Sequence, residues 1–311
     1  MAEKLSIVFL GSGPVAAASL DTLADVFTIE AVITKHKPAH HRGEAPVEVI
    51  AARRGLTTVF ASNRAQLDEC FTEHAFTSRL GVVVDYGVII SGAVIASFPL
   101  GIVNSHFSLL PEWRGADPIT FSLLSGQPKT GVSVMVIDEG LDTGKLITQK
   151  TIAIAPDDTV TTLTDKLVDL SNTLLTEWLP KYADGDVTPH NQPHPDRATH
   201  SRKLKKDESI LDFTKPAEIL EREIRAFAGW PKSRTTIAGL DVVITKAHVD
   251  AAATNPVNEP IPAPGTILAD NHSLAVATSQ GLLHIDMIQP AGKKEMPVTA
   301  FLAGYGSRLS S

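Results

Sequence analysis

Asn104 and His106 stand two positions apart in the stretch from Ile102 to Gly115, which begins apolar and ends polar. In an extended chain, side chains alternate faces, so residues i and i+2 point the same way. An amide donor and an imidazole are therefore aimed at one spot where a strand gives way to a loop. The amide of Asn104 can hydrogen-bond an oxygen on which negative charge develops. The imidazole of His106 suits proton transfer near neutral pH. An isolated Asn-x-His is more often structural, and the residues that follow shift the balance. Ser108-Leu109-Leu110-Pro111 reads as a loop offering backbone groups beside apolar side chains. Asp138-Glu139-Gly140-Leu141-Asp142-Thr143-Gly144 reads as a turn carrying a carboxylate. Together they make an Asn/His/Asp constellation with a loop suited to a flat heterocycle.

Elements must hold these residues in place. Leu5 to Leu10 is a continuous apolar run, as in a parallel strand buried on both faces. Gly11-Ser12-Gly13-Pro14 is a tight turn, and Val15 to Leu23 has helical spacing. Ala16 and Pro14 spoil a full G-x-G-x-x-G, so a dinucleotide site is a weak reading. Strands follow at Ile29 to Thr34, Thr57 to Phe60, Leu80 to Val84 and Gly101 to Asn104. Helices are expected at Val47 to Arg54, Arg64 to His74, Val88 to Ala96 and Ile119 to Ser125. Thr130 to Ile137 and Lys145 to Ile154 form a hairpin around Asp142. Asp158 to Leu179 is an amphipathic helix with a leucine stripe that belongs to the core. Residues 185–206, rich in Pro, Gly and His, read as a linker between a domain over 1–184 and another over 207–311. In the latter, a helix from Pro216 to Ala228 precedes short strands at Arg234 to Ile237, Asp241 to Val249, Gly265 to Ala269, Leu274 to Ala277 and Leu282 to Gln289. That spacing fits a small five-stranded barrel of OB type, with a Pro/Ala/Asn-rich loop over 251–264. The expected class is α/β: a Rossmann-like domain, then an OB-like β domain.

Composition narrows the possibilities. The single cysteine, Cys70, excludes an internal disulfide framework and a cysteine-based zinc site. The basic loop after the second strand carries His36, His40 and His41 without a carboxylate or thiol at ligand spacing, so it reads as solvated or phosphate-contacting. No metal is expected. Met1 to Val8 runs into a strand and lacks a signal-peptide pattern. No apolar run approaches the roughly 18 residues of a membrane span. A cytoplasmic, monomeric protein is expected. The net charge of −7 argues against a generic nucleic-acid binder, but residues 1–200 hold 15 basic and 23 acidic side chains against 13 and 12 in 201–311. A polyanion would meet the C-terminal part and local clusters such as Arg202-Lys203-Leu204-Lys205-Lys206.

Asn104-x-His106-x-Ser108-Leu109-Leu110-Pro111 followed by Gly140-Leu141-Asp142-Thr143-Gly144 resembles the 10-formyltetrahydrofolate-dependent formyltransferases. Ile210-Leu211-Asp212-Phe213, Ile224-Arg225-Ala226-Phe227, Gly229-Trp230-Pro231, Gln289-Pro290-Ala291-Gly292-Lys293-Lys294-Glu295-Met296 and Phe301-Leu302-Ala303-Gly304-Tyr305 resemble the methionyl-tRNA branch. The resemblance runs from Ile7 to about Tyr305. Departures are Gly11-Ser12-Gly13-Pro14-Val15 in place of Gly-Thr-Pro-x-Phe, a shortened basic loop that keeps Lys35, Lys37 and Arg42, and Asp85 where the family more often has Ala.

The resemblance implies that the amino group of methionine on initiator tRNA attacks the formyl carbon of 10-formyltetrahydrofolate. Asn104 would stabilise the oxyanion, and His106 with Asp142 would move the proton, Asp142 orienting the imidazole and favouring its cationic form. The pterin would lie against Asp85, Tyr86, Gly87, Val88 and Ile89 and against Ser108, Leu109, Leu110 and Pro111, with Asp138 nearby. Lys35, Lys37, Arg42, Lys203, Lys205, Lys206, Lys293 and Lys294 would meet tRNA phosphates. A sugar-nucleotide N-formyltransferase would keep the same trio with another acceptor. An OB-containing RNA-binding protein with a relic fold would not need the trio intact.

Overall fold

The computed structural model describes residues 4–37, 43–250 and 262–309. In chain order the elements are β1 (Ser6–Gly11), α1 (Pro14–Val26), β2 (Thr28–Thr34), α2 (Pro46–Arg54), β3 (Thr58–Phe60), α3 (Arg64–Glu73), β4 (Leu80–Val84), α4 (Gly92–Ala96), β5 (Ile102–His106), β6 (Arg114–Gly115), α5 (Pro118–Ser125), β7 (Lys129–Val136), β8 (Leu146–Ala153), α6 (Val160–Ala183), β9 (His200–Ser201), α7 (Ala217–Ala226), β10 (Ser233–Ile237), β11 (Leu240–His248), β12 (Ile267–Ala269), β13 (Leu274–Ala277), β14 (Leu282–Pro290), β15 (Met296–Pro297) and α8 (Val298–Tyr305). They form two compact units. One holds residues 1–118, 129–153 and 164–202; the other holds 119–128, 154–163 and 203–311.

The first unit is built on a seven-stranded sheet in the order β3-β2-β1-β4-β5-β7-β8. The pairs from β3 to β5 are parallel, and β7 and β8 run antiparallel. The chain winds outward from β1 to β3 and then returns to β4 on the other side of β1. Between β1 and β4 lies the topological switch point, outside whose carboxyl ends open α/β sheets bind ligands. Gly11 permits the first turn, because a Cβ there would stand 2.7 Å from that of Ala16 and 2.8 Å from the Val84 carbonyl. Gly13 follows at φ 91°, and Pro14 starts α1 where its missing N–H costs nothing. Val8, Leu10, Ala31, Ile33, Val83 and Ile102 line one face of the sheet against Leu67, Cys70, Val94 and Phe98.

The sequence spacing predicts a helix over Val88 to Ala96, but α4 starts only at Gly92. Ser91 accepts the Val94 N–H and caps it, which leaves residues 88–90 as loop. The segment read as a linker is bonded structure from His190 to Ser201. His190 bridges to Leu146, and β9 pairs in parallel with β6.

The second unit curls a sheet in the order β10-β11-β14-β13-β12, with β15 on β14. Its five principal strands are those expected from spacing. However, β10 and β12 are the two ends of the order, and among the described residues they do not pair to close a barrel. Ile237, Val242, Ile244, Val276, Leu283 and Ile285 pack against Leu220 and Ile224 of α7 and Phe301 and Leu302 of α8. The loop over 251–264 falls mostly outside the described residues.

Candidate active site

β5 is an inner strand with β4 on one side and β7 on the other. Asn104 lies opposite Val83 and Met135, and His106 lies opposite Ser133. Ile102 belongs to the core face, and alternation carries Asn104 and His106 along the same face to the strand's carboxyl end. Asn104 is half-buried, and its amide bonds to nothing among the described residues. A preorganised donor is left open for a ligand.

His106 is only 6% exposed. Its Nε2–H donates to the Trp113 carbonyl at 3.0 Å, so the neutral ring carries its lone pair on Nδ1. Nδ1 lies 3.7 Å from Oδ2 of Asp142, which is longer than a hydrogen bond. Asp142 adopts φ 52° and accepts the Gly115 N–H at 2.7 Å through that same oxygen. Burial lowers the His106 pKa below the ordinary imidazole value. The Asp142 charge and the Trp113 carbonyl oppose burial without overcoming it. Asp142 favours the cationic form as expected, but burial outweighs it, so at neutral pH the ring is an uncharged base.

The turn that presents Asp142 is shaped by Asp138. Its Oδ1 accepts the Gly140 N–H and the Thr143 hydroxyl, so that carboxylate oxygen builds the turn. The Ser108–Pro111 loop also differs from expectation. The Ser108 hydroxyl donates to Glu112, and its carbonyl accepts from Ser133. The Leu110 N–H donates to Ser133, its carbonyl accepts from Gln149, and the Leu109 carbonyl accepts from the Glu112 N–H. These backbone groups serve the protein itself, so Leu109, Leu110 and Pro111 supply a stiff apolar wall and few hydrogen bonds.

On the other wall, Tyr86 turns inward and donates to the Ala61 carbonyl at 2.7 Å, leaving only its backbone for a ligand. Gly87 is exposed at φ 66° and Val88 packs on the core. Ile89 is 76% exposed and Leu141 63%, two apolar side chains suited to a flat ring. Asp85, at φ 46°, is pushed up to about 6 by desolvation, with Lys35 opposing and Asp117 adding to the rise. Water reaches its outer surface, yet protein surrounds the carboxylate closely enough to disfavour its charge.

The basic residues scatter. The Lys35 ammonium lies where a Cβ on Gly87 would be 3.2 Å away, so it belongs to the site rather than to an outlying phosphate contact. Lys37 and Lys203 to Lys206 lie on the surface segments where they were expected. Lys293 and Lys294 are exposed on the turn after β14. Arg42 lies outside the described residues. Two contributors to the trio's setting, Gln192 and Ser201, left no sign in the sequence spacing. Gln192 is 6% exposed, donates to the Asp142 and Gly144 carbonyls and accepts from Arg114. Ser201 donates to the carbonyl that holds His106. Only the polarity of Gln192 within a Pro-rich stretch hinted at either. Within the second unit, Lys232 and Arg234 line a cavity of about 720 Å³. Among the described residues, no group of three or more His, Cys, Asp or Glu is arranged to hold a metal ion, and no helix is long and apolar enough to cross a membrane.

A donor amide and an uncharged imidazole backed by a carboxylate, at the carboxyl edge of a Rossmann-like sheet, are fitted to pass an acyl group between nitrogens. The formyl transferase profile matches residues 5–179, and the profile of the formyl transferase C-terminal domain matches 203–306, so the class is formyl transferase. Two curated relatives are methionyl-tRNA formyltransferases. That of Roseiflexus sp. (strain RS-1) is 37% identical over 98% of this chain and 94% of its own length. That of Roseiflexus castenholzii (strain DSM 13941 / HLO8) is 35% identical over 98% and 99%. The chain belongs to the methionyl-tRNA formyltransferase family. Among solved structures, the sugar 3N-formyltransferase WlaRD, crystallised in the presence of dTDP and 5-N-formyl-THF, superposes with TM-score 0.69 at 18% identity, covering 94% of this chain and 100% of its own. The N-formyltransferase of Helicobacter canadensis, with folinic acid and dTDP-3-aminofucose, gives 0.66 at 18% over 94% and 100%. Both are similar in fold.

Proposed function

We propose that this chain transfers the formyl group of 10-formyltetrahydrofolate to the α-amino group of methionine on initiator tRNA. The single observation that carries the reading is the free Asn104 amide beside a His106 ring fixed with its basic nitrogen toward Asp142. The folate supplies an activated formyl carbon. The Asn104 amide donates to the formyl oxygen as charge grows there. His106 accepts the amine proton at Nδ1 and returns it toward the departing nitrogen, with Asp142 stabilising the transient imidazolium. The donor's flat ring fits between Ile89, Leu141 and the wall of Leu109, Leu110 and Pro111, with backbone from Asp85 to Val88 along one edge. The exposed Lys293 and Lys294, the 203–206 segment, and Lys232 and Arg234 in the second unit suit phosphate contacts that position the tRNA. We assign catalysis to residues 1–184 and tRNA binding to 207–311, joined by 185–206, in a monomeric cytoplasmic protein.

The test is formyl transfer to methionyl-initiator tRNA, run beside His106→Ala and a dTDP-amino-sugar acceptor. Transfer to the tRNA that His106→Ala abolishes supports the assignment. Transfer to the sugar nucleotide alone would replace it.

A further inference from the structure

Resting on that reading, the geometry at the switch point assigns a role to Asp85. We propose that Asp85 receives the α-ammonium of the acceptor and takes its proton before the amine attacks the formyl carbon.

The placement comes from the sheet. Val83 pairs with Asn104, so Asp85 and His106 leave neighbouring parallel strands at the same level. The left-handed backbone at Asp85 turns its carboxylate toward the β1 turn: Oδ2 lies 3.3 Å from where a Cβ on Gly13 would stand. The Asp85 carbonyl meanwhile accepts the Ser12 N–H and holds the two turns together. The carboxylate thus faces the β1 turn at the switch point, and the acceptor's ammonium is assigned to that side. Among the described residues the carboxylate makes no hydrogen bond and no ion pair within 4 Å. The absence of a Cβ at Gly13 keeps that space open.

The charges around Asp85 suit a cation. Lys35 beyond β2 and Asp117 before α5 act on it in opposite senses. The β1 turn brings only Ser12 and Gly13, which carry no charge, and on β5 stands the uncharged His106 with the Asp142 carboxylate beside it. A carboxylate whose charge is poorly solvated gains from an incoming ammonium what the protein does not give it. An α-ammonium ordinarily loses its proton near pH 7.7–8.0, so at neutral pH much of the acceptor arrives unable to attack. Transfer of one proton leaves a neutral amine and a protonated Asp85, which returns the proton to water after product leaves. The proton shed when the new C–N bond forms is a second one, and His106 handles it.

The experiment compares wild type, Asp85→Asn, Asp85→Ala and Asp85→Glu across pH 6–9 with methionyl-initiator tRNA. For Asn and Ala, kcat/KM for the acceptor should fall about tenfold at pH 6.5 and converge on wild type above pH 8, where free amine no longer needs a base; KM for the folate should hold, and Glu should restore part of the loss. Loss uniform across pH, or a profile unchanged from wild type, would overturn the proposal. Saturation-transfer NMR with L-methioninamide reads the same contact without turnover. Binding by wild type that weakens in Asp85→Asn supports the contact, and equal binding sinks it. An enzyme that binds methioninamide through Asp85 but formylates no tRNA would overturn the function alone.

Discussion

At the scale of single residues, two buried or recessed groups are shifted in ways that oppose charge. His106 resists protonation when folded, whereas in the unfolded chain it titrates near its ordinary value of about 6.5. The unfolded state therefore binds more protons in that window, and stability is lost as pH falls through about 6.5 toward the lower folded value. Thermal melts of His106→Asn should show a flatter pH dependence there than wild type. Asp85 works in the reverse sense. Its folded pKa of about 6 lies above the ordinary carboxylate value, so its ionisation weakens the fold as pH rises through 6. Asp85→Asn should consequently melt higher than wild type at pH 7, with the gap closing toward pH 4. A group that weakens the fold at working pH is not there for stability, which fits the role assigned to Asp85. Catalysis gives a second check. Asn104→Ala should lower kcat by about 10²–10³-fold, the range seen when one oxyanion donor is removed, with little change in melting temperature because the amide bonds to nothing in the protein.

At the scale of elements, the site depends on a segment with little regular structure. Gln192 bonds two carbonyls of the turn that carries Asp142 and also the Arg114 guanidinium. Gln192→Ala strands buried polar groups, each costing about 1–3 kcal/mol. It should lower the melting temperature and kcat together, and Gln192→Glu should recover part of both by keeping an acceptor for Arg114. Gly144 is tighter still: a Cβ would stand 1.8 Å from the Val136 carbonyl, so Gly144→Ala must displace the Asp142 turn. A shift of about 1 Å at a catalytic group can cost 10²-fold in rate. These dependencies mark where the sequence was legible. β4 and β13 fall on the residues that apolar runs and alternation indicate, because burial of both faces imposes that pattern. The Asn104/His106 pair was legible because a strand's period of two is independent of tertiary context. Gln192, Ser201 and the short pairing of β6 with β9 were not, because they act through single long-range bonds that leave no periodic trace. The neutral state of His106 also escaped, since it depends on how completely the ring is buried. The helix expected from Val88 lost its first turn to one serine cap.

For the whole molecule, charge and substrate pose a conflict that the distribution of lysines resolves. The chain carries −7 overall, and the site assigned to the acceptor sets three carboxylates, Asp85, Asp117 and Asp142, against one cation, Lys35. Such a site attracts an ammonium and repels phosphate. The phosphates of the proposed tRNA substrate then need cations other than those of the catalytic site. Lys293 and Lys294 suit that task, exposed on a turn whose form is fixed by Gly292 at φ 72° and by the Gln289 side chain donating to the Lys293 carbonyl. If each lysine neutralises one phosphate, the slope of log K against log salt changes by about 0.7–0.9 per contact. The double variant Lys293→Ala/Lys294→Ala should bind methionyl-tRNA more weakly at 50 mM salt, with a slope shallower by about 1.5, and should converge on wild type at high salt. Its kcat at saturating tRNA should hold, because neither residue belongs to the chemistry. Filter binding across a salt series gives the slope directly. An unchanged slope in the double variant would move the phosphate grip to Lys232 and Arg234 in the 720 Å³ cavity, where the same pair of measurements can be repeated.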